Sequence, residues 1–393
     1  MKYNYGLRIR FISFFIFFFA LILIGRLYFV QIVNNDFYSN KADKQYTSTS
    51  QKIFSRGTIF FQNKDGSLVS AATLKSGFIV AVNPEILKNS EDVYNKLNEI
   101  IPTDHDIFIA KATKSGDPYE EIATRVDEEA GQKISDLKIL GLQVYKDRWR
   151  FYLGGDTASH IIGILGYKGD DYAGRYGLER QFEVQLERQE GAFVNFFAEI
   201  FSNIKKVSSG DEGEADIVTT IEPNVQMYLQ SALKSISTKW SSESTGGIIM
   251  NPSTGEIYAM EVDPTFDLNH PELEKNASIF SNGLIENVYE MGSVIKPLTI
   301  ASGIDAGVIT AKTTYYDPGF VMISNKKVSN FDGKNRGTVN MQDVLSQSLN
   351  VGVAYVEKLL GNKVFSDYML SFGLGDKTGI DLPGEISALV SNL

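Results

Sequence analysis

Met291-Gly292-Ser293-Val294-Ile295-Lys296-Pro297 sets a hydroxyl and an amine three residues apart, just ahead of the apolar run Leu298-Thr299-Ile300-Ala301. Residues at that spacing share one face of an α-helix, so Ser293 Oγ and Lys296 Nζ can meet without help from a distant part of the chain. Pro297 lacks an amide donor and is tolerated only near a helix start, which puts Ser293 at or beside the first turn. Free N–H groups and the positive end of the helix dipole favour developing negative charge there. Such a site suits acyl transfer.

The motif alone carries little weight. Ser-x-x-Lys also occurs at Ser135-Lys138, Ser202-Lys205, Ser231-Lys234 and Ser324-Lys327, and a solvated surface pair is the default meaning of each. The copy at 293 is singled out by following a glycine and leading into an apolar helix-like run, and Ser348-Leu349-Asn350 lies downstream. A Ser-x-Asn triplet by itself is more often a helix surface or cap. The two motifs in this order point to chemistry.

The 393 residues suffice for two or three domains, and a hydrophobic content of 43% supplies large cores. A net charge of −10 and the lack of a basic stripe argue against a nucleic-acid partner. Cysteine is absent, which excludes disulfides, thiolate zinc sites and a cysteine nucleophile. His105, His160 and His270 are scattered without ligand spacing and read as structural or surface residues. No metal or cofactor is expected.

Phe11 to Gly25 is apolar except for Ser13, and the run resumes after Arg26. A spanning helix needs about 20 mostly apolar residues, so residues 11–33 qualify if Arg26 snorkels to the interface. Bulky Ile22, Leu23, Ile24 and Leu27 stand where a signal-peptide cleavage site would need small residues. Lys2, Arg8 and Arg10 keep residues 1–10 cytoplasmic by the positive-inside rule. The expected location is therefore the cell (inner) membrane, single-pass, with the bulk of the chain extracytoplasmic.

Residues 34–55 read as a polar stalk. Asp65-Gly66 between short apolar runs is a hairpin signal, and residues 83–140 alternate short helix-like and strand-like stretches. Glu120-Glu121 and Asp127-Glu128-Glu129 read as a solvated helix face rather than a catalytic carboxylate pair. The Gly-rich segment Ser208 to Gly213 precedes Ile217 to Ile221, and a helix-like run covers Val225 to Leu233. A composition shift at Ser241-Ser242-Glu243-Ser244-Thr245 marks a domain boundary. Beyond it, two strand-like runs flank Asn251 to Gly255, which predicts a second hairpin.

Taken together these residues resemble the class B penicillin-binding proteins, membrane-anchored peptidoglycan D,D-transpeptidases whose superfamily carries Ser-x-x-Lys, Ser-x-Asn and Lys-Thr-Gly motifs. Arg26-Leu27-Tyr28 with Gln31 is similar to the family's anchor exit, and Arg56-Gly57-Thr58-Ile59 with Asp65-Gly66 to the opening of its pedestal. His160-Ile161-Ile162-Gly163 and Gly177-Leu178-Glu179 resemble later pedestal motifs. Thr220-Ile221-Glu222 with Gln226 resembles the entry to the transpeptidase domain, where Asp is commoner than Glu222. The implied fold is multidomain α+β, with a transmembrane helix (11–33), a β-rich pedestal or dimerisation domain (34–240) and the first part of a β-lactamase-like transpeptidase domain (241–393). Met291 departs from the family's usual proline. Lys377-Thr378-Gly379 sits in a stretch that resembles the family's separate Thr-Gly-Ile-Asp-Leu-Pro-Gly-Glu segment, so it reads as a decoy for the third motif. On this reading the chain is an enzyme cut off after its first two active-site motifs.

The resemblance implies that Ser293 is the nucleophile, Lys296 its base, Ser348 a proton relay, and Asn350 the group that holds the substrate amide while contacting Lys296. It implies D-Ala-D-Ala stem peptides as substrate, β-lactams as inhibitors, and a polytopic glycosyltransferase of a division or elongation complex as partner. Two other readings stay open: a non-catalytic membrane scaffold, favoured by the missing third motif, and a β-lactamase or β-lactam sensor, for which no water-activating glutamate stands in a recognisable motif.

Overall fold

The computed structural model describes residues 56–169, 171–187 and 215–391, together with Phe17 and Phe19. The expected cytoplasmic tail, membrane span and stalk, and the Gly-rich segment at 208–213, lie outside the described residues but for those two phenylalanines. No described helix is long and apolar enough to cross a membrane.

The N-terminal half is built on one long strand. β1 (Ile59–Gln62) turns through Asn63 to Ser67 into β2 (Leu68–Val82), with Gly66 at φ 84 where the sequence predicts a hairpin. β3 (Glu120–Val126) and β4 (Leu142–Tyr152) both lie antiparallel to β2. β4 follows one edge from Ala72 to Val82, and β1 and β3 share the other at its two ends. Helices Ser90–Asn98, His105–Ala112 and Glu128–Asp136 cover the far end around Val80, Val82, Leu97 and Phe108. Glu120 and Glu121 open β3 instead of sitting on a helix face, because pairing with Ala81 and Val82 draws them into the sheet. Asp127 does serve a helix, as the N-cap that accepts from Ala130 N.

A small hairpin follows, β5 (Leu165–Lys168) with β6 (Asp171–Gly174), and then the short helices Gly177–Gln181 and Glu183–Leu186. Gly177 has φ 57, and a Cβ there would lie 2.4 Å from the Ile161 carbonyl oxygen; only glycine fits. These elements bury Glu179 between two guanidinium groups. Arg56 Nε donates to Glu179 Oε2 at 2.7 Å and Arg150 Nε to Glu179 Oε1 at 2.6 Å. Glu183 takes the rest of the Arg56 fork at 3.0 and 2.8 Å. Burial works against the Arg56 charge, but Glu179 and Glu183 outweigh it and hold the guanidinium above its ordinary value.

β7 (Ile217–Val218) adds to β1 in parallel and leads into helix Pro223–Trp240, longer at both ends than the predicted run. Glu222 caps its start by accepting from Val225 N, and Ser241 ends it at φ 50. The helix packs on the predicted second hairpin, β8 (Thr245–Met250) with β9 (Ile257–Asp263). Beyond come β10 (Thr314–Asp317), β11 (Phe320–Ile323), β12 (Lys326–Ser329) and β13 (Gly337–Asn340), which pair as β10–β13 and β11–β12. Helices Lys296–Asp305, Met341–Ser346 and Asn350–Leu360 close a core of Ile300, Tyr315, Val344, Val351 and Val356.

The two halves share a core. Ile59, Tyr152 and Ile162 from the first belong to one buried cluster with Met260, Phe266, Leu268 and Leu382 from the second. Asn269 clasps the Tyr152 backbone, accepting its N–H at 3.0 Å and donating to its carbonyl at 2.8 Å. His160, buried and packed edge-on to Phe266, engages the Ile279 carbonyl through Nε2 at 2.9 Å.

At this junction Glu261 of β9 is buried with Gln226 donating to one carboxylate oxygen, while the other has no partner. Burial, with Asp156 and Asp263 nearby, pushes its pKa up from 4.5 to about 8. The folded state therefore binds this proton more tightly than the unfolded chain. Its contribution to stability is full below pH 4.5 and is lost as pH climbs through about 8. Thermal melts should decline across that window, and Glu261→Gln should flatten the decline; matching slopes for the two proteins would remove the assignment.

Candidate active site

Gly292 enters the turn that carries Ser293 at φ 58, a conformation that costs glycine nothing. A 3₁₀ turn, Gly292–Ile295, then runs directly into helix Lys296–Asp305, with Pro297 in the first turn as its missing donor predicts. Ile300 and Thr299 bury one face of this helix. Gly303, on the same side, is packed so closely by Val356 and Ile309 that an added Cβ would collide with both. That packing fixes how the helix is rotated, leaving Ser293 exposed and Lys296 buried.

Ser348 approaches from the connection between helices Met341–Ser346 and Asn350–Leu360. Its φ of 53 lies in the left-handed region, which costs a non-glycine residue on the order of 1 kcal/mol and persists where the surroundings enforce it. Lys296 Nζ donates to the Ser348 carbonyl at 2.6 Å and to Ser348 Oγ at 2.9 Å. Ser348 Oγ in turn donates to Ser293 Oγ at 3.0 Å. The amine and the exposed hydroxyl thus meet through Ser348, and no direct hydrogen bond joins Ser293 to Lys296 among the described residues. The turn changes from 3₁₀ to α between them, and the Ser348 carbonyl draws the amine aside. Burial lowers the Lys296 pKa below its ordinary value of 10.5, which raises the neutral fraction able to accept a proton.

Asn350 is brought to the same place but turned differently from the sequence-based expectation. Its Nδ2 donates to the Ser329 carbonyl at 2.8 Å, while Lys296 spends its hydrogen bonds on Ser348. Lys377-Thr378-Gly379 lies on no strand. Both Thr378 N and Thr378 Oγ1 donate to Glu385 Oε1, at 2.6 and 2.7 Å, closing a loop whose Ile380 and Leu382 join the shared core. His105 and His270 are exposed beside carboxylates, and His160 is structural. Ser329, Asn330 and Asp317, which carry the hydrogen bonds behind Asn350, gave no signal in the sequence beyond ordinary turn chemistry.

Two family models match. Residues 54–195 match the Penicillin-binding Protein dimerisation domain and residues 245–392 the Penicillin binding protein transpeptidase domain. The chain belongs to the class B penicillin-binding proteins. Relatives in this family include Stage V sporulation protein D of Bacillus subtilis, 26% identical over 93% of this chain and 56% of its own length. Peptidoglycan D,D-transpeptidase FtsI of Buchnera aphidicola is 25% identical over 94% of this chain and 64% of its own. Peptidoglycan D,D-transpeptidase MrdA of Escherichia coli K12 is 25% identical over 93% and 62%. The chain thus spans roughly three-fifths of the length of these relatives. Among solved structures, Penicillin Binding Protein 2X from Streptococcus thermophilus shares the fold with a TM-score of 0.64 at 20% identity, over 87% of this chain and 54% of that one.

Proposed function

We propose that this chain acts as a peptidoglycan D,D-transpeptidase, with Ser293 as nucleophile, Lys296 as base and Ser348 as the relay between them. The hydrogen-bonded line Lys296–Ser348–Ser293 carries this reading, and the names of the relatives agree with it. Ser293 Oγ attacks the carbonyl carbon of the penultimate D-Ala of a stem peptide, and its proton passes through Ser348 to neutral Lys296. The tetrahedral oxyanion forms beside the Ser293 N–H, at the positive end of the turn. The proton returns by the same route to the amine of the departing D-Ala as the C–N bond breaks, leaving an ester on Ser293. An amine from a neighbouring strand attacks that ester and restores the hydroxyl. Asn350 would hold the substrate amide, and β-lactams would stop at the ester.

The remaining assignments follow the same reading. Residues 34–240 form the pedestal and 241–393 belong to the transpeptidase domain. The apolar stretch at 11–33 anchors the protein in the cell membrane, and a polytopic glycosyltransferase of the division or elongation machinery supplies the glycan strands. The scaffold alternative gains nothing from a site in which amine and hydroxyls are already connected. Incubation with labelled penicillin followed by peptide mass mapping tests the choice: a mass increment on the Ser293 peptide is expected, and a protein that takes up no label is a scaffold.

The pH dependence follows from Lys296. Only the neutral amine can receive the Ser293 proton, so acylation should rise with pH as the Lys296 ammonium loses its proton. The midpoint should lie below 10.5 because burial lowers that pKa. A midpoint at or above 10.5 would remove Lys296 as the base.

A further inference from the structure

β10 ends on Asp317, which is wholly buried. Its Oδ1 accepts the Gly319 N–H at 2.7 Å and its Oδ2 the Tyr315 hydroxyl at 3.1 Å. The side-chain amide of Asn330, itself 3% exposed, donates to both oxygens at 3.1 and 2.8 Å. A carboxylate only accepts, so this contact decides which end of the Asn330 amide faces which way. The amide oxygen is left pointing at Val351, whose N–H it accepts at 3.2 Å. That N–H is one of the first-turn donors a helix cannot satisfy internally, and Leu349 at the N-cap offers no side-chain partner. One residue earlier, the Ser329 carbonyl takes the Asn350 side chain. Two adjacent residues at the end of β12 therefore grip the first two residues of helix Asn350–Leu360, immediately after the left-handed Ser348.

We propose that Asp317 and Asn330 are positioning residues for the acylation step: the carboxylate orients the amide, the amide caps the helix from outside it, and the cap holds Ser348 between Lys296 and Ser293. This rests on the transpeptidase reading above and adds to it the group that keeps the relay in register. Both side chains are buried away from the surface. They act through Ser348, whose backbone conformation would otherwise relax and withdraw the hydroxyl from both neighbours.

Reversing the polarity of the pair provides the test. In Asp317→Asn one of the two acceptors that fix the Asn330 amide becomes a donor, so the amide is no longer held in one orientation and its oxygen is released from the Val351 N–H. Asn330→Asp sets two carboxylates against each other. The double exchange, Asp317→Asn with Asn330→Asp, lets the new amide donate to the new carboxylate while its oxygen keeps the Gly319 N–H and the Tyr315 hydroxyl turns to accept; it gives up the second contact to Oδ1 and returns an oxygen to Val351. Each single variant should acylate with labelled penicillin about 10- to 100-fold more slowly, with the acid limb of the pH–rate profile displaced because Lys296 has lost Ser348. Amide exchange at Val351 should speed up in both. The double exchange should recover the profile, the Val351 protection and a rate within about 3-fold of the parent. Folded single variants with the parent's rate and pH profile would overturn the inference while leaving the nucleophile assignment intact. A parent protein that takes no label on Ser293 would instead overturn the transpeptidase reading. If the single variants do not fold, the double exchange decides alone, and a folded double variant still slowed more than about 10-fold would rule the inference out.

Discussion

Ser293→Ala is expected to remove covalent labelling by penicillin altogether, a loss of at least about 10³-fold in acylation rate. Without Oγ no ester can form at this position, and the neighbouring hydroxyl cannot substitute. Ser348 Oγ receives a hydrogen bond from Lys296 and donates to Ser293 Oγ, so it lies between the amine and the hydroxyl that is lost. Ser293 is exposed and its hydroxyl serves only Ser348 among the described residues, so the variant should melt within about 0.5 kcal/mol of the parent. Intact stability with lost labelling separates chemistry from folding. Adduct formation that persists in the alanine variant would move the nucleophile elsewhere.

The largest effect on stability should come from Glu179→Ala. Glu179 has no solvent exposure and accepts from both Arg56 and Arg150, and Arg150 Nη2 already lacks a partner. Truncation would leave two buried guanidinium groups facing each other with Glu183 as the remaining counter-charge, a change that typically costs about 3–5 kcal/mol. Glu179→Gln keeps the shape and one acceptor, and should fall between alanine and the parent. Trp149 is buried beside Arg150 on β4 while Trp240 is largely exposed, so fluorescence in a urea titration reports on the right region. A shift worth less than about 1 kcal/mol would mean that water replaces the carboxylate and that the cluster is not a desolvated unit.

How much of this was legible beforehand depended on how far apart in sequence the interacting groups lie. Ser293 with Lys296, and Ser348 with Asn350, announce themselves because each pair sits within one turn of backbone. The turns at Asp65-Gly66 and around Asn251 to Gly255 were equally plain, since left-handed glycines leave few other choices. Glu120 and Glu121 misled because charged residues in a strand look like a helix surface until the pairing with β2 is known. The hydrogen-bonded link through Ser348 stands in place of the expected direct contact for a similar reason: 52 residues separate it from Lys296. Asp317 and Asn330 were invisible. Asp317-Pro318-Gly319 is ordinary turn chemistry, and its burial arises only when β10 and β13 pair and helix Asn350–Leu360 packs across them.

The shared cluster of Ile59, Tyr152, Ile162, Met260, Phe266 and Leu382 bears on how such proteins can diverge. Two modules joined by a tether can drift independently, because neither sees the other's substitutions. Here a change of volume on one side must be answered on the other, and Asn269 and His160 each hold a backbone group belonging to the opposite half. The two halves are therefore bound to change together, and a first half borrowed from a distant relative would arrive with the wrong imprint.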